Sequence, residues 1–176
     1  QIKHLAEQGK IRSAIEAAYF ALEGAPTYLP LHIMIGELLL QQGFSAEAAE
    51  KLALTARAYH MRGDANHAVE LYRKIVGLLP VDLKLRYQLI EVLVANQRLD
   101  EAVSELFRLA DIFYTQADLD MTRKTLEEAN RVGEQGVDRE LRLKVLRRMA
   151  DIEMQSLDWR QSKLVYEKIS KLAPGD

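Results

Sequence analysis

Sliding the chain along itself by 54 residues superimposes positions chosen for size and backbone freedom rather than polarity. Gly9 falls on Gly63, Ala14 on Ala68, Glu16 on Glu70 and Pro26 on Pro80. The register continues through Glu37/Glu91, Leu39/Leu93, Glu47/Glu101, Ala48/Ala102, Leu52/Leu106, Ala56/Ala110 and Asp64/Asp118. An offset of 94 then pairs Asp64 with Asp158, Tyr72 with Tyr166, Lys74 with Lys168, Ile75 with Ile169 and Pro80 with Pro174. Amphipathic segments share leucines by default, so the glycine, alanine and proline matches carry the argument. Glycine permits a tight turn, alanine lets two helices approach closely, and proline ends the helix before it. A chain that repeats these steric choices stacks like units side by side.

The units are helical. Apolar residues recur at spacings of three and four, as in Leu52, Ala53, Ala56 and Tyr59, or Val69, Tyr72 and Val76, and strand-like alternation is absent. Breaks carry start and stop chemistry at Gly43-Phe44-Ser45, Gly63-Asp64, Leu99-Asp100, Ala117-Asp118, Val137-Asp138 and Leu157-Asp158. An Asp or Ser at each start would accept an otherwise unpaired backbone N–H. This predicts helices near 2–8, 11–23, 28–42, 45–62, 64–78, 81–96, 99–116, 118–132, 138–156 and 158–172, in one array over 1–176. With 48% hydrophobic residues in 176, a sizeable core is available. The formal charge of −2 argues against nucleic acid or an anionic membrane as partner. The absence of cysteine removes disulfides, thiolate catalysis and cysteine-bound zinc. No apolar run reaches transmembrane length, and the chain opens on Gln1 with no signal-peptide pattern. A piece of a longer cytoplasmic protein is expected.

Gly63-Asp64, Ala68, Tyr72 and Pro80, preceded by Ala56 and Tyr59, resemble the tetratricopeptide repeat (TPR), whose pattern is small–x–x–Tyr, then Ala–x3–aromatic, then Pro. Gly36, Leu39, Gly43 and Ala48 fit the same pattern one hairpin earlier; Gly9, Ala14, Ala21 and Pro26 fit a truncated repeat, and Ser162, Tyr166 and Pro174 a final one. The resemblance covers nearly the whole chain. It implies an all-α, right-handed α-solenoid of antiparallel helix hairpins. The period departs from the family, whose repeats recur about every 34 residues as helix pairs, because 54 fits three helices. Helices 45–62 and 99–116 each begin like the second helix of a pair and end like the first helix of the next.

Catalysis has little support. The four histidines, His4, His32, His60 and His67, never stand four apart on one helix, and no HExxH, P-loop, GxGxxG or GxSxG occurs. Carboxylate pairs such as Glu127/Glu128 and Asp118/Asp120 point to different faces or cap helix starts. No enzyme activity, cofactor or metal is expected.

The most polarised stretch runs from Asp138 to Arg148, with five basic and two acidic residues. Helical spacing gathers Lys144, Arg147, Arg148 and Asp151 on one side, a solvated face unless an anionic partner meets it. TPR arrays that grip a peptide carboxylate use Lys and Arg one turn apart on a first helix, and Lys144 and Arg148 match that spacing. The family's clamp also uses asparagines where this chain has Arg57, Glu91 and Asp111, so a full clamp is not implied. The resemblance places Tyr59, Tyr72, Phe113 and Tyr166 between helices and turns Tyr87, Phe107 and Tyr114 toward a groove. Trp159 is expected to be partly buried against helix 138–156.

These readings converge on a non-catalytic protein–protein interaction scaffold. Its partner-binding candidates are Lys144, Arg147, Arg148, Arg108, Tyr87, Phe107 and Tyr114. The partner would be a protein or peptide, an acidic or carboxylate-ended one in particular. A helical sensor or regulatory segment of a larger signalling or transcription protein is the alternative. The ending Pro174-Gly175-Asp176, with no polar capping helix after it, points to further helices or to self-association through an end.

Overall fold

A computed structural model describes residues 1–174. Among these residues there are ten helices and no strand: α1 (Ile2–Glu7), α2 (Ile11–Gly24), α3 (Leu29–Gln41), α4 (Ser45–Met61), α5 (Ala65–Leu78), α6 (Leu83–Ala95), α7 (Leu99–Thr115), α8 (Leu119–Gly133), α9 (Arg139–Gln155) and α10 (Trp159–Leu172). Of the terminal tripeptide, Gly175 and Asp176 lie outside the described residues. The chain divides into two compact units, Gln1–Val92 and Leu93–Asp176, with the division inside α6. In the first unit α1 to α5 pack each against the next; in the second α7 to α10 do the same, and α9 also meets α7. The fold is all-α, built of TPR-like helix hairpins.

Six turns share one backbone device. Gly9, Gly43 and Gly63 are left-handed, with φ of 75°, 85° and 80°, and so are Gln97, Ala117 and Leu157 at 58°, 60° and 57°. At each, the left-handed residue's N–H bonds the carbonyl three residues back, and the next N–H bonds the carbonyl five back. Gly63 donates to His60 at 3.0 Å and Asp64 to Tyr59 at 2.9 Å; Ala117 donates to Tyr114 and Asp118 to Phe113, both at 3.0 Å. This Schellman closure satisfies carbonyls that a helix end leaves unpaired.

The spacing of these turns explains the irregular period. Gly9 and Gly43 are 34 residues apart, as are Gly63 and Gln97, while Gly43 to Gly63 and Gln97 to Ala117 are each 20. The 54-residue period is therefore a hairpin step of TPR length followed by a single-helix step. The single helices are α4 and α7, each bounded at both ends by the same tight turn. Helix α4 accordingly packs on both α3 and α5. From Ala117 to Leu157 the step is 40, because residues 134–138 form a longer connection. Helices α2 and α5 end differently, at the extended residues Ala25 and Leu79 (φ −146° and −124°), with Pro26 and Pro80 following.

Caps divide into expected and displaced. Asp64, Asp118 and Asp158 accept the N–H of His67, Met121 and Gln161, and Asp138 accepts those of Glu140 and Leu141. Ser45 and Asp100 do not cap: α4 starts one residue and α7 two residues earlier than a cap there requires, after Phe44 and Arg98, which bond no backbone N–H through their side chains. Small residues hold the crossings. Ala14, Ala18, Ala56, Ala68 and Ala102 are fully buried. In the first repeat Ala18 takes that place, one turn from Ala14, and Ala21 is exposed.

The aromatic expectations need correction at the end of the array. Tyr72 and Phe113 are buried, and Tyr59 is half-buried, stacked on His67 with ring centroids 4.9 Å apart. Tyr166, at 49% exposure, and Trp159, at 61%, are not packed between helices. The buried stripe of α10 is Ser162, Val165 and Ile169, and Trp159 and Tyr166, seven residues apart, lie together on one flank of it. Tyr72 has the same place on α5, but there Arg57 of α4 and Glu91 of α6 both act on its ring hydroxyl, and burial pushes its pKa up.

Candidate functional site

Helices α7 and α9 run side by side in the same direction. At their N-terminal ends the Asp138 N–H donates to the Asp100 carboxylate at 2.8 Å. Midway, the Lys144 ammonium stands 4.6 Å from the centroid of the Phe107 ring. Further on, the Arg148 guanidinium stands 4.3 Å from the Tyr114 ring centroid and donates to Asp111 at 3.3 Å. At the C-terminal ends the Tyr114 hydroxyl donates to Gln155 Oε1 at 3.0 Å. The residue numbers rise together along both helices, which sets the parallel direction. Four of the sequence candidates, Phe107, Tyr114, Lys144 and Arg148, thus meet as two cation–aromatic rungs.

The electrostatics are local and modest. A cation over an exposed aromatic face contributes about 0.5–1 kcal/mol, and a surface ion pair under about 1 kcal/mol. Their chief effect is positional, because each long basic side chain is laid over a ring instead of sampling solvent. Asp111 stands where the family's clamp uses an asparagine. It supplies a negative charge to Arg148 and an acceptor in place of an amide donor.

The remaining candidates lie elsewhere. Arg147 is exposed, one residue along α9 from Arg148. Arg108 pairs within its own helix, donating to the buried Glu105 at 2.6 Å. Tyr87 is half-buried on α6, in the first unit.

One polar link was not visible in the sequence. Arg123 of α8 donates through Nε to Glu153 Oε1 at 2.7 Å and through a terminal nitrogen to Oε2 at 3.2 Å, and Glu153 is only 4% exposed. The fork-to-carboxylate bond holds α8 to α9 and raises the Arg123 pKa still further. The two residues are 30 positions apart, so helical spacing carries no signal of their pairing.

Two of the histidines take structural partners. A ring nitrogen of His32 donates to the Pro26 carbonyl at 2.8 Å, and His67 bonds Asp64 at 2.7 Å while stacking on Tyr59. Among the described residues no group of three or more His, Asp or Glu side chains could hold a metal ion, and no helix is long and apolar enough to cross a membrane.

Repeated hairpins closed by Schellman turns, with alanine at their crossings, define a TPR-like helical-repeat protein. No protein-family model matches the chain, and no curated protein matches it. Among solved structures, MamA from Desulfovibrio magneticus RS-1 is similar at 16% identity over 82% of this chain and 94% of that one, with a TM-score of 0.36. The TPR-like repeats of a putative kinesin light chain from Podosopora anserina show 16% identity over 97% and 90% of the two chains, at a TM-score of 0.29. BtubC from P. vanneervenii shows 11% identity over 93% and 88%, at 0.38.

Proposed function

We propose that this chain is a non-catalytic protein-interaction module that receives an acidic peptide or protein segment along the α7–α9 pair. The observation that supports this reading is the double rung of Lys144 over Phe107 and Arg148 over Tyr114. Each rung offers a partner an aromatic edge and a cation already held in place, so a partner's carboxylate orders little on arrival. Aromatic and arginine side chains are also the residues that most often carry binding energy at interfaces.

The test is a titration with a fluorescent glutamate- and leucine-containing peptide, read by anisotropy at low and physiological salt. The Lys144→Glu/Arg148→Glu variant is expected to bind about tenfold or more weakly and to lose its salt dependence, with its helical content retained. Binding equal to the parent at both salt concentrations would refute the proposal.

A further inference from the structure

A second cleft lies in the same unit, among α8, α9 and α10. Its narrow part, about 220 Å³, is lined by Asn130 of α8 and Glu134 just beyond its end, Arg142 and Leu146 of α9, and Lys168 and Lys171 of α10. A wider part of about 450 Å³ shares Asn130, Lys168 and Lys171 and adds the apolar side chains of Met149, Leu164 and Val165. The narrow part holds three cations against one carboxylate, and that carboxylate, Glu134, already accepts a bond from the Asn130 amide at 3.0 Å.

Arg142 is the most telling of the three. Its stem crosses Gly133, where a β-carbon would stand 3.3 Å from the arginine Cγ. Its Nε is buried and has no hydrogen-bond partner. A buried donor left unpaired costs free energy that an arriving acceptor would recover. The guanidinium fork suits a carboxylate, to which it donates from two nitrogens at once. The wider part is close to charge balance: Glu127 and Glu167 line it with Lys168 and Lys171, and its third carboxylate, Glu153, is tied to Arg123.

We infer that this cleft binds a peptide segment whose carboxylate sits at Arg142, Lys168 and Lys171 and whose neighbouring apolar side chain lies on Met149 and Leu164. Charge complementarity selects the occupant. A carboxylate meets the positive narrow part, and the charge-balanced wider part, with Met149, Leu164 and Val165 in its lining, offers an apolar neighbour its place. The site is separate from the α7–α9 rungs and does not depend on them. Its narrow volume, below that usual for whole small-molecule ligands, suits a single anionic group.

The experiment follows backbone amide chemical shifts of the isotope-labelled chain during titration with an acetylated tetrapeptide of alternating leucine and glutamate. Inorganic phosphate serves as the competing probe. Saturable shifts at 130–134, 142 and 168–172 are expected. Lys168→Glu/Lys171→Glu, both exposed positions, should weaken the peptide about tenfold or more, whereas Arg148→Glu should leave these shifts unchanged. Shifts confined to α7 and α9 would overturn the inference while leaving the proposed function standing. Phosphate binding there more tightly than the peptide would overturn the peptide as occupant. Undiminished binding by the lysine double variant would overturn the site.

Discussion

The Asp100 carboxylate, in the first turn of α7, accepts the backbone N–H of Asp138, the residue that caps α9. A side chain placed to start its own helix instead ties down the start of another, 38 positions on. Asp100→Ala should therefore cost about 1 kcal/mol in urea melts. Ser45→Ala, at the corresponding start of α4, should stay within about 0.5 kcal/mol, because Ser45 makes no capping bond. Equal losses at the two positions would show that Asp100 acts on α7 alone.

The six left-handed turns divide into glycine and non-glycine. A side chain in this region costs roughly 1 kcal/mol, so Ala117→Gly, at φ 60°, should stabilise the chain by about that much. Gly63→Ala, at φ 80°, should destabilise it by a similar amount. Opposite shifts in melting temperature check the pair, and shifts of the same sign would contradict the assigned backbone.

Gly36 packs where α3 meets α4. A β-carbon there would lie 2.6 Å from Cδ2 and 2.7 Å from Cγ of Leu52, which is itself fully buried. Alanine normally gains up to about 1 kcal/mol over glycine inside a helix. Here overpacking outweighs that gain, and Gly36→Ala should lose about 1–3 kcal/mol. The Gly36→Ala/Leu52→Ala double variant should lose less than the sum of its parts, since the clash is shared. Strict additivity in denaturant melts would count against the contact.

The Asp64 carboxylate is held below its ordinary pKa, chiefly by the His67 backbone N–H and then by the His67 ring. A depressed carboxylate pKa contributes stability that is present above the unfolded-state value and disappears as pH falls through the folded-state value. Stability should thus decline on acidification below about pH 4, with part of that decline due to Asp64. Asp64→Asn, which still caps the helix, should flatten this acid limb while changing neutral-pH stability little. An acid limb as steep as the parent's would assign the loss to other carboxylates.

Helices, most of their boundaries and three of the left-handed turns were legible along the chain, because periodicity, aspartate caps and glycine act within a few residues of one another. The repeat itself was legible for the same reason, since Ala56, Ala68 and Ala102 are fully buried wherever the pattern recurs. Two features misled the reading. Gln97, Ala117 and Leu157 make the turn that glycine makes elsewhere, so the 34-residue step lay hidden inside the period of 54. Tyr166 copies Tyr72 in sequence yet is exposed, because burial depends on what stands beside a helix and not on the helix's own residues.

The candidate site divides along the same line. Helical spacing alone placed Lys144 and Arg148 on one side of α9, a consequence of 3.6 residues per turn. That Phe107 and Tyr114 stand beneath them, that Asp111 answers Arg148, and that Arg142 crosses Gly133 into a basic cleft are products of packing. Each joins residues on different helices, where no local rule relates one position to the other. Periodicity and turn chemistry act over a few residues and can be read from the chain; which helix faces meet is settled by close packing across the whole unit, and only the tertiary structure contains it.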